Sequence, residues 1–271
     1  MEIDSRFTAL CILGSYAVVA ALERVPALRM RESRFWRPFF STDVGWYLVT
    51  IGVAVAFGPY LEKLAGARAE FGIPGLETLA LPWLAQVALA TVLYDFGATM
   101  AHMLLHRYDW LWRFHKVHHS SRVLDWLATT RAHGVEQLFR SIPTKALLFA
   151  AGLPTSAVAI AIAIYALVAT FGHSNLRLNL SSIEWLFVTP RVHRRHHVPE
   201  TTHRNFGTVF TIWDRLFGCL VIKDTRPDEP LGIPGEVETY PQSFWPQIVQ
   251  PFRAPTSSQR SSAPHSEAAS K

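Results

Sequence analysis

Two copies of one histidine spacing limit the folds open to this chain: His115, His118 and His119, then His193, His196 and His197. On a helix, positions i, i+3 and i+4 share a face, so each HxxHH copy is expected to aim three imidazoles at one point. His102 and His106, four apart, aim two more. Any one histidine is more often a packing residue than a ligand, but two copies of HxxHH are far outside chance at this histidine content. Eight converging imidazoles exceed what one metal with about four to six coordination positions can use, so two metals are implied; iron, zinc and copper all suit imidazole. His133, within Arg131 to Glu136, and His173, within Phe171 to Asn175, would raise the set to ten. That is about five per metal, leaving roughly one octahedral position on each for oxygen or a bridging species.

The two copies can meet only if the chain between them returns to the same side, and this chain is rich in apolar segments. Of its 271 residues, 49% are hydrophobic and 17% charged, with stretches 7–22, 44–61, 81–105 and 146–172 almost free of charge. A membrane crossing needs about 20 apolar residues, so the first three stretches read as spans. Arg24, Arg29, Arg31, Arg34 and Arg37 after the first, and Arg107, Arg113, Lys116, Arg122 and Arg131 after the third, place those connections in the cytoplasm and the N-terminus outside. The fourth stretch is broken at Gly152-Leu153-Pro154-Thr155 into halves well short of a crossing. A hairpin or re-entrant pair is therefore expected, which keeps both histidine triplets on one face. Glu23, Arg24 and Val25-Pro26 follow the first run where a signal peptide would have a small-residue cleavage site, so that run is expected to stay as an anchor.

The expected architecture is an all-α, integral-membrane helical bundle of three spans plus that hairpin, with a cytoplasmic helical cap rich in histidine. Residues 1–80 would form the N-terminal membrane anchor, 81–222 the catalytic domain, 223–253 a Pro/Gly-rich strap at the membrane interface, and 254–271, including His265, a disordered tail. Asp95 lies two helical turns before His102 in an apolar run, where a carboxylate needs a partner, and is expected to support a ligating imidazole. Asn175, Asn205, Asp125, Glu136 and Asp214 are further candidates for that role, as is His203, while Arg191, Arg194 and Arg195 are expected to mark the cytoplasmic surface.

Several chemistries are excluded. Cys11 and Cys219 offer neither a disulfide framework nor a thiolate metal site. The chain has no HExxH and no paired ExxH, and neither a GxGxxG loop nor a CxxCH motif, so electrons for any redox reaction must come from another protein. A zinc or iron transporter or sensor is the alternative reading, but transporters hold ions near the bilayer midplane, whereas these histidines follow the spans. A bis-histidine haem would need one histidine on each facing helix, not triplets. Nothing points to nucleic acid, since the basic residues are accounted for by topology and anionic lipid.

The motifs resemble those of the sterol desaturase and fatty acid hydroxylase superfamily. His102 to His106 and the run Leu111 to Ser120 look like its first two boxes, Arg131 to Glu136 its RxHPxE segment, His173-Ser174-Asn175 its HSN, and Thr189 to His197 its last box. Asn205-Phe206-Gly207 and Trp213 to Gly218 resemble its closing signatures. Met103, Gly134, His203 and Cys219 depart from the usual arginine, proline, aspartate and threonine. The resemblance covers about residues 90 to 220 and implies two iron ions held by the ten histidines, with O2 as co-substrate. It further implies hydroxylation or desaturation of an unactivated C–H of a lipid, sterol or fatty acyl. A ferredoxin, or a cytochrome b5 with its reductase, would deliver electrons at the cytoplasmic face of a bacterial inner membrane or endoplasmic reticulum.

Overall fold

A computed structural model describes residues 5–32, 35–70, 75, 80–226 and 228–253. Among them the chain is helical, with only isolated bridges between Arg29 and Leu176 and between Phe187 and Phe210. The long helices are α1 (Ser5–Leu22), α2 (Phe40–Glu70), α3 (Trp83–Arg107), α5 (Gly134–Ala151) and α6 (Thr155–His173). Shorter ones are α4 (Asp109–His119), α7 (Pro190–His196), α8 (Ile212–Leu216) and α9 (Phe244–Val249). Three are long and apolar enough to cross a membrane: α2 over Phe40–Phe57, α3 and α6; the apolar stretch Ala9–Leu22 of α1 is shorter. His265 and the expected tail lie outside the described residues.

The expected hairpin is present, but its arms are not half-length. The α5 arm begins at Gly134, well before the apolar run at 146, and α6 has 19 residues. Arg140 accounts for the difference: it breaks the apolar pattern in sequence yet turns its guanidinium to the Tyr165 hydroxyl at 2.7 Å and towards Glu136 at 3.6 Å, so the helix runs on through it. Gly152 ends α5 in the left-handed conformation (φ 61°), its N–H reaching Leu148 O and Phe149 O, and Pro154 opens α6. That left-handed turn is one glycine adopts without steric cost.

Helix α3 is the centre of the bundle, packed on α4, α5 and α6, with α1 against α6 and α2 against α5. Small residues let α3, α5 and α6 approach, through Ala90, Ala157 and Ala161 around Leu148 and Leu153. Gly97 is the closest point: a Cβ there would stand 3.0 Å from the Thr144 Cα. The hairpin brings the C-termini of α3 and α6 and the N-terminus of α5 to one end, where α4 and α7 lie across them.

Four arginines expected to mark topology are buried instead. Arg37 bridges Asp43, at 2.6 Å, and Asp125, while Arg131 pairs with the same Asp43. Arg194 donates to Leu124 O and Ser174 O, and Arg195 to Glu229. A buried charge needs a partner, and each of these has found a carboxylate or carbonyl that ties distant segments together. The strap crosses the same end: Gln247 takes the Trp46 indole N–H at 2.8 Å and donates to Ser120 Oγ at 2.9 Å, and Gly232 N donates to His197 O at 3.0 Å.

The α3–α5 contact predicts that Gly97→Val lowers the thermal unfolding midpoint of detergent-purified protein by several degrees, overpacking costing about 1–3 kcal/mol. Gly52→Ala, where nothing lies within 4 Å of the new methyl, should leave it unchanged or raise it.

Candidate metal centre

Nine of the ten expected histidines come together, in two adjoining groups. His102, His106, His115, His119 and His196 form one; His118, His173, His193 and His197 form the other; all are buried, and within each group the ligand atoms lie within 4.8 Å of one another. The groups touch, with His119 and His197 stacked at 4.7 Å between ring centroids.

Each triplet divides between the groups rather than aiming at one point. From α4, His115 and His119 enter the first group and His118 the second; from the last triplet, His193 and His197 enter the second and His196 the first. Residues i and i+4 lie about 40° apart around a helix, but i+3 and i+4 about 100°, so two neighbouring histidines face different directions.

Six of the nine outward nitrogens are anchored by the protein. Nδ1 of His102 donates to Phe206 O at 2.8 Å, His115 to Glu136 Oε1 at 2.8 Å, and His118 to Arg131 O at 3.1 Å. His173 donates to Ala169 O at 2.8 Å and His196 to Arg204 O at 2.6 Å, while His119 Nδ1 lies 3.2 Å from Thr202 Oγ1. Carbonyl and carboxylate oxygens only accept, so these bonds keep the proton on Nδ1 and leave Nε2 bare. The inward Nε2 atoms then face one another: 3.0 Å for His102 and His115, 3.2 Å for His118 and His173, 3.0 Å for His173 and His193. In the first two pairs, lone pair meets lone pair.

Such pairs are repulsive unless a cation lies between them. Two nitrogens bound at about 2.1 Å and at right angles on one ion stand about 3.0 Å apart, the spacing seen here. The buried Nε2 of His196 is left without a protein partner. Burial, reinforced by neighbouring imidazoles, holds His115, His118, His119, His193 and His197 well below their usual 6.5, and burial brings His196 down to about 3. Neutral imidazole is the metal-binding form, so the donor set fits two metal ions.

The tenth histidine is elsewhere. His133 caps α5, its Nδ1 accepting from Val135 N at 3.2 Å and its Nε2 3.3 Å from Ile248 O, among Trp46, Phe114 and Phe252. His203 meets His106 edge-on and lies tilted beside Trp112, outside both groups.

Asp95, expected to support a ligand, and two of the further candidates, Asn175 and Asn205, act one step further out. Asp95 accepts from Val209 N at 2.8 Å, Phe210 N at 3.0 Å and the Trp213 indole at 2.9 Å, and so fixes the loop carrying the Phe206 carbonyl. Asn175 pairs with the Arg31 backbone. Asn205, at φ 57°, joins Val192 O in α7 to the Val221 backbone. Glu136, another of those further candidates, makes the direct contact, and Asp214 holds the N–H groups of Phe206 and Gly207. Glu23 was legible only as the first charge after an apolar run; its carboxylate takes the N–H of Trp126 and Asn175.

The sequence profile described as fatty acid hydroxylase matches residues 87–219, which contain every one of these imidazoles. The chain is 30% identical over 252 residues to ornithine lipid hydroxylase OlsE of Rhizobium tropici, covering 89% of this chain and 74% of that one. The chain belongs to the fatty acid hydroxylase family. Membership makes it an oxidoreductase. It is also 33% identical to fatty acid hydroxylase vlmA of Lecanicillium sp, over 70% of this chain and 57% of that one. To alkylglycerol monooxygenase of Danio rerio it is 34% identical, over 64% of this chain and 40% of that one. No solved structure is significantly similar to it.

The division of roles predicts metal contents that elemental analysis of purified protein can check. His118→Ala and His196→Ala should each lose metal, whereas His133→Ala should keep it. Glu136→Ala should weaken metal binding about 10–100-fold by freeing the His115 ring, with Glu136→Gln milder because its carbonyl can still accept.

Proposed function

We propose that this chain is an integral-membrane lipid hydroxylase that uses O2 and externally supplied electrons, with one iron ion held by each histidine group. The observation that carries this reading is the buried, two-lobed cage of neutral imidazoles at the ends of helices apolar enough to span a membrane. His102, His106, His115, His119 and His196 would hold one ion. His118, His173, His193 and His197 would hold the other, a set smaller by one donor and so more open to an exchangeable ligand. Iron bound there supplies dioxygen activation strong enough to oxidise an unactivated C–H.

The chain's own residues supply position and seclusion. The carbonyls of Phe206, Arg131, Ala169 and Arg204 and the Glu136 carboxylate hold a proton on the outward Nδ1 of His102, His118, His173, His196 and His115, so the inward nitrogen of each of these five stays a donor to metal. The burial of the cage excludes water from the reacting carbon. Apolar α3 and α6 beneath it would let a chain-bearing lipid stay in hydrocarbon while one carbon reaches the cage. The named activities of the relatives favour a polar lipid with a long acyl or alkyl chain over a sterol, and hydroxylation over desaturation. A ferredoxin or cytochrome b5 with its reductase would deliver electrons from the cytoplasm, and the chain's net charge of +5 suits an acidic donor.

Lipid extracts of cells expressing the chain should contain a species heavier by one oxygen atom, labelled when the gas phase is isotopic dioxygen. Cells expressing His118→Ala or His196→Ala should lack it. A product lighter by two hydrogens would replace hydroxylation with desaturation, and an iron-loaded protein that consumes reductant without oxygen-dependent lipid change would overturn the reading.

A further inference from the structure

The segments on either side of the last histidine triplet fold together with their polar groups inward and their apolar groups outward. Two limbs, residues 183–188 and 209–217, are joined by backbone bonds from Val188 N to Val209 O at 3.0 Å and from Thr211 N to Leu186 O at 2.9 Å, and by Thr211 Oγ1 to Glu184 O at 3.1 Å. Glu184 and Asp214 are buried within the unit, Glu184 on Thr189 and Arg191, Asp214 on the Phe206 and Gly207 N–H groups. Outside stand Ile183, Trp185, Phe187, Ile212, Leu216 and Phe217, with Leu216 69% and Trp185 61% exposed. A loop facing water would show the reverse arrangement, and an apolar face of this kind marks an interface.

Its depth says what covers it. Asp95, at the midpoint of α3, takes the N–H groups of Val209 and Phe210 and the Trp213 indole, and Trp213 packs on Phe96 at 5.0 Å. Asp95 precedes His102 by two turns, about 10 Å along the helix towards the far end of the span. The unit therefore hangs beside α3 below the cage, continuous with the surface that α3 would present to hydrocarbon. At its border the guanidinium groups of Arg204 and Arg215 lie on Gly218 O and Trp185 O, where they suit lipid phosphates.

We propose that residues 183–187 and 212–217 form a wedge immersed in the acyl region of one leaflet, so that the cap sits partly in the bilayer rather than on it. This rests on reading α3 and α6 as spans. The loop that meets lipid is then the loop whose Phe206 carbonyl braces His102.

The test uses full-length protein in phosphatidylcholine–phosphatidylglycerol vesicles, with single cysteines in a Cys11→Ser background carrying an environment-sensitive fluorophore. Cys219 is buried and its thiol pushed up to about 12 by burial and Asp214, and the Cys11→Ser parent provides the labelling blank. Leu216→Cys and Phe217→Cys are expected to lose half or more of their emission to lipids brominated on the acyl chain and to resist aqueous iodide. Leu167→Cys, on α6, should behave alike, and Asp228→Cys, in the exposed strap, in the opposite way. If positions 216 and 217 are quenched by iodide while 167 is quenched by bromine, the wedge is wrong and the spans stand. If 167 also meets iodide, the spanning reading itself fails. Positions 216 and 217 shielded from both, with self-quenching that grows with protein-to-lipid ratio, would assign the face to a second copy of the chain and overturn the proposal.

Discussion

Everything at the active end of this fold answers to one electrostatic problem: pairs of uncharged imidazoles held with bare nitrogens about a hydrogen-bond length apart. Between His102 and His115, and between His118 and His173, neither ring has a proton to offer, because each has committed it outward. Folding alone would not choose this arrangement, since it confronts lone pairs in a medium that screens them poorly. A cation between them turns the repulsion into coordination. The helices and their connections supply the rigidity that keeps the nitrogens in place.

That rigidity is distributed widely. The carbonyl that fixes His118 belongs to Arg131, whose side chain is locked to Asp43 at the start of α2; Asp43 also holds Arg37, and through it Asp125. The carbonyl that fixes His102 belongs to Phe206, whose loop is held by Asp95 from α3 and Asp214 from α8. Glu23 at the end of α1 secures the backbone beside Trp126 and Asn175. Buried ion pairs are poor sources of net stability, but breaking one leaves an uncompensated charge, and that makes them effective at fixing a single geometry. Much of the polar material inside this apolar protein is spent on aiming rings.

The sequence made the cage legible because ligand spacing on a helix is a local property. The HxxxH pair, both triplets and His173 could be read without knowing how the helices pack, and the hairpin followed from the need for the triplets to meet. Local spacing also misled. Three-residue and four-residue steps read as one face in the sequence, whereas the 100° between adjacent residues sends His118 and His119 to different groups. His133 carries the same residue type beside the same box, and its use as a helix cap depends on a strap more than a hundred residues away. The carboxylate of Asp95 needs a partner in its apolar run, but its partners are two backbone N–H groups and the Trp213 indole, more than a hundred residues away, which no local pattern reveals. Arg37, Arg131, Arg194 and Arg195 follow the charge rule for membrane topology in sequence, while in the fold they are internal braces.

The splitting of the triplets has a structural consequence. The first group takes two rings from α4 and one from the last triplet, and the second takes one from α4 and two from the last triplet. Neither helix can shift without disturbing both groups, so the two groups are tied mechanically as well as by proximity. The remaining rings differ: the first group adds His102 and His106 from α3, the second only His173 from α6. Near-symmetry from the triplets and asymmetry from the spans together give two linked positions with unequal numbers of protein donors.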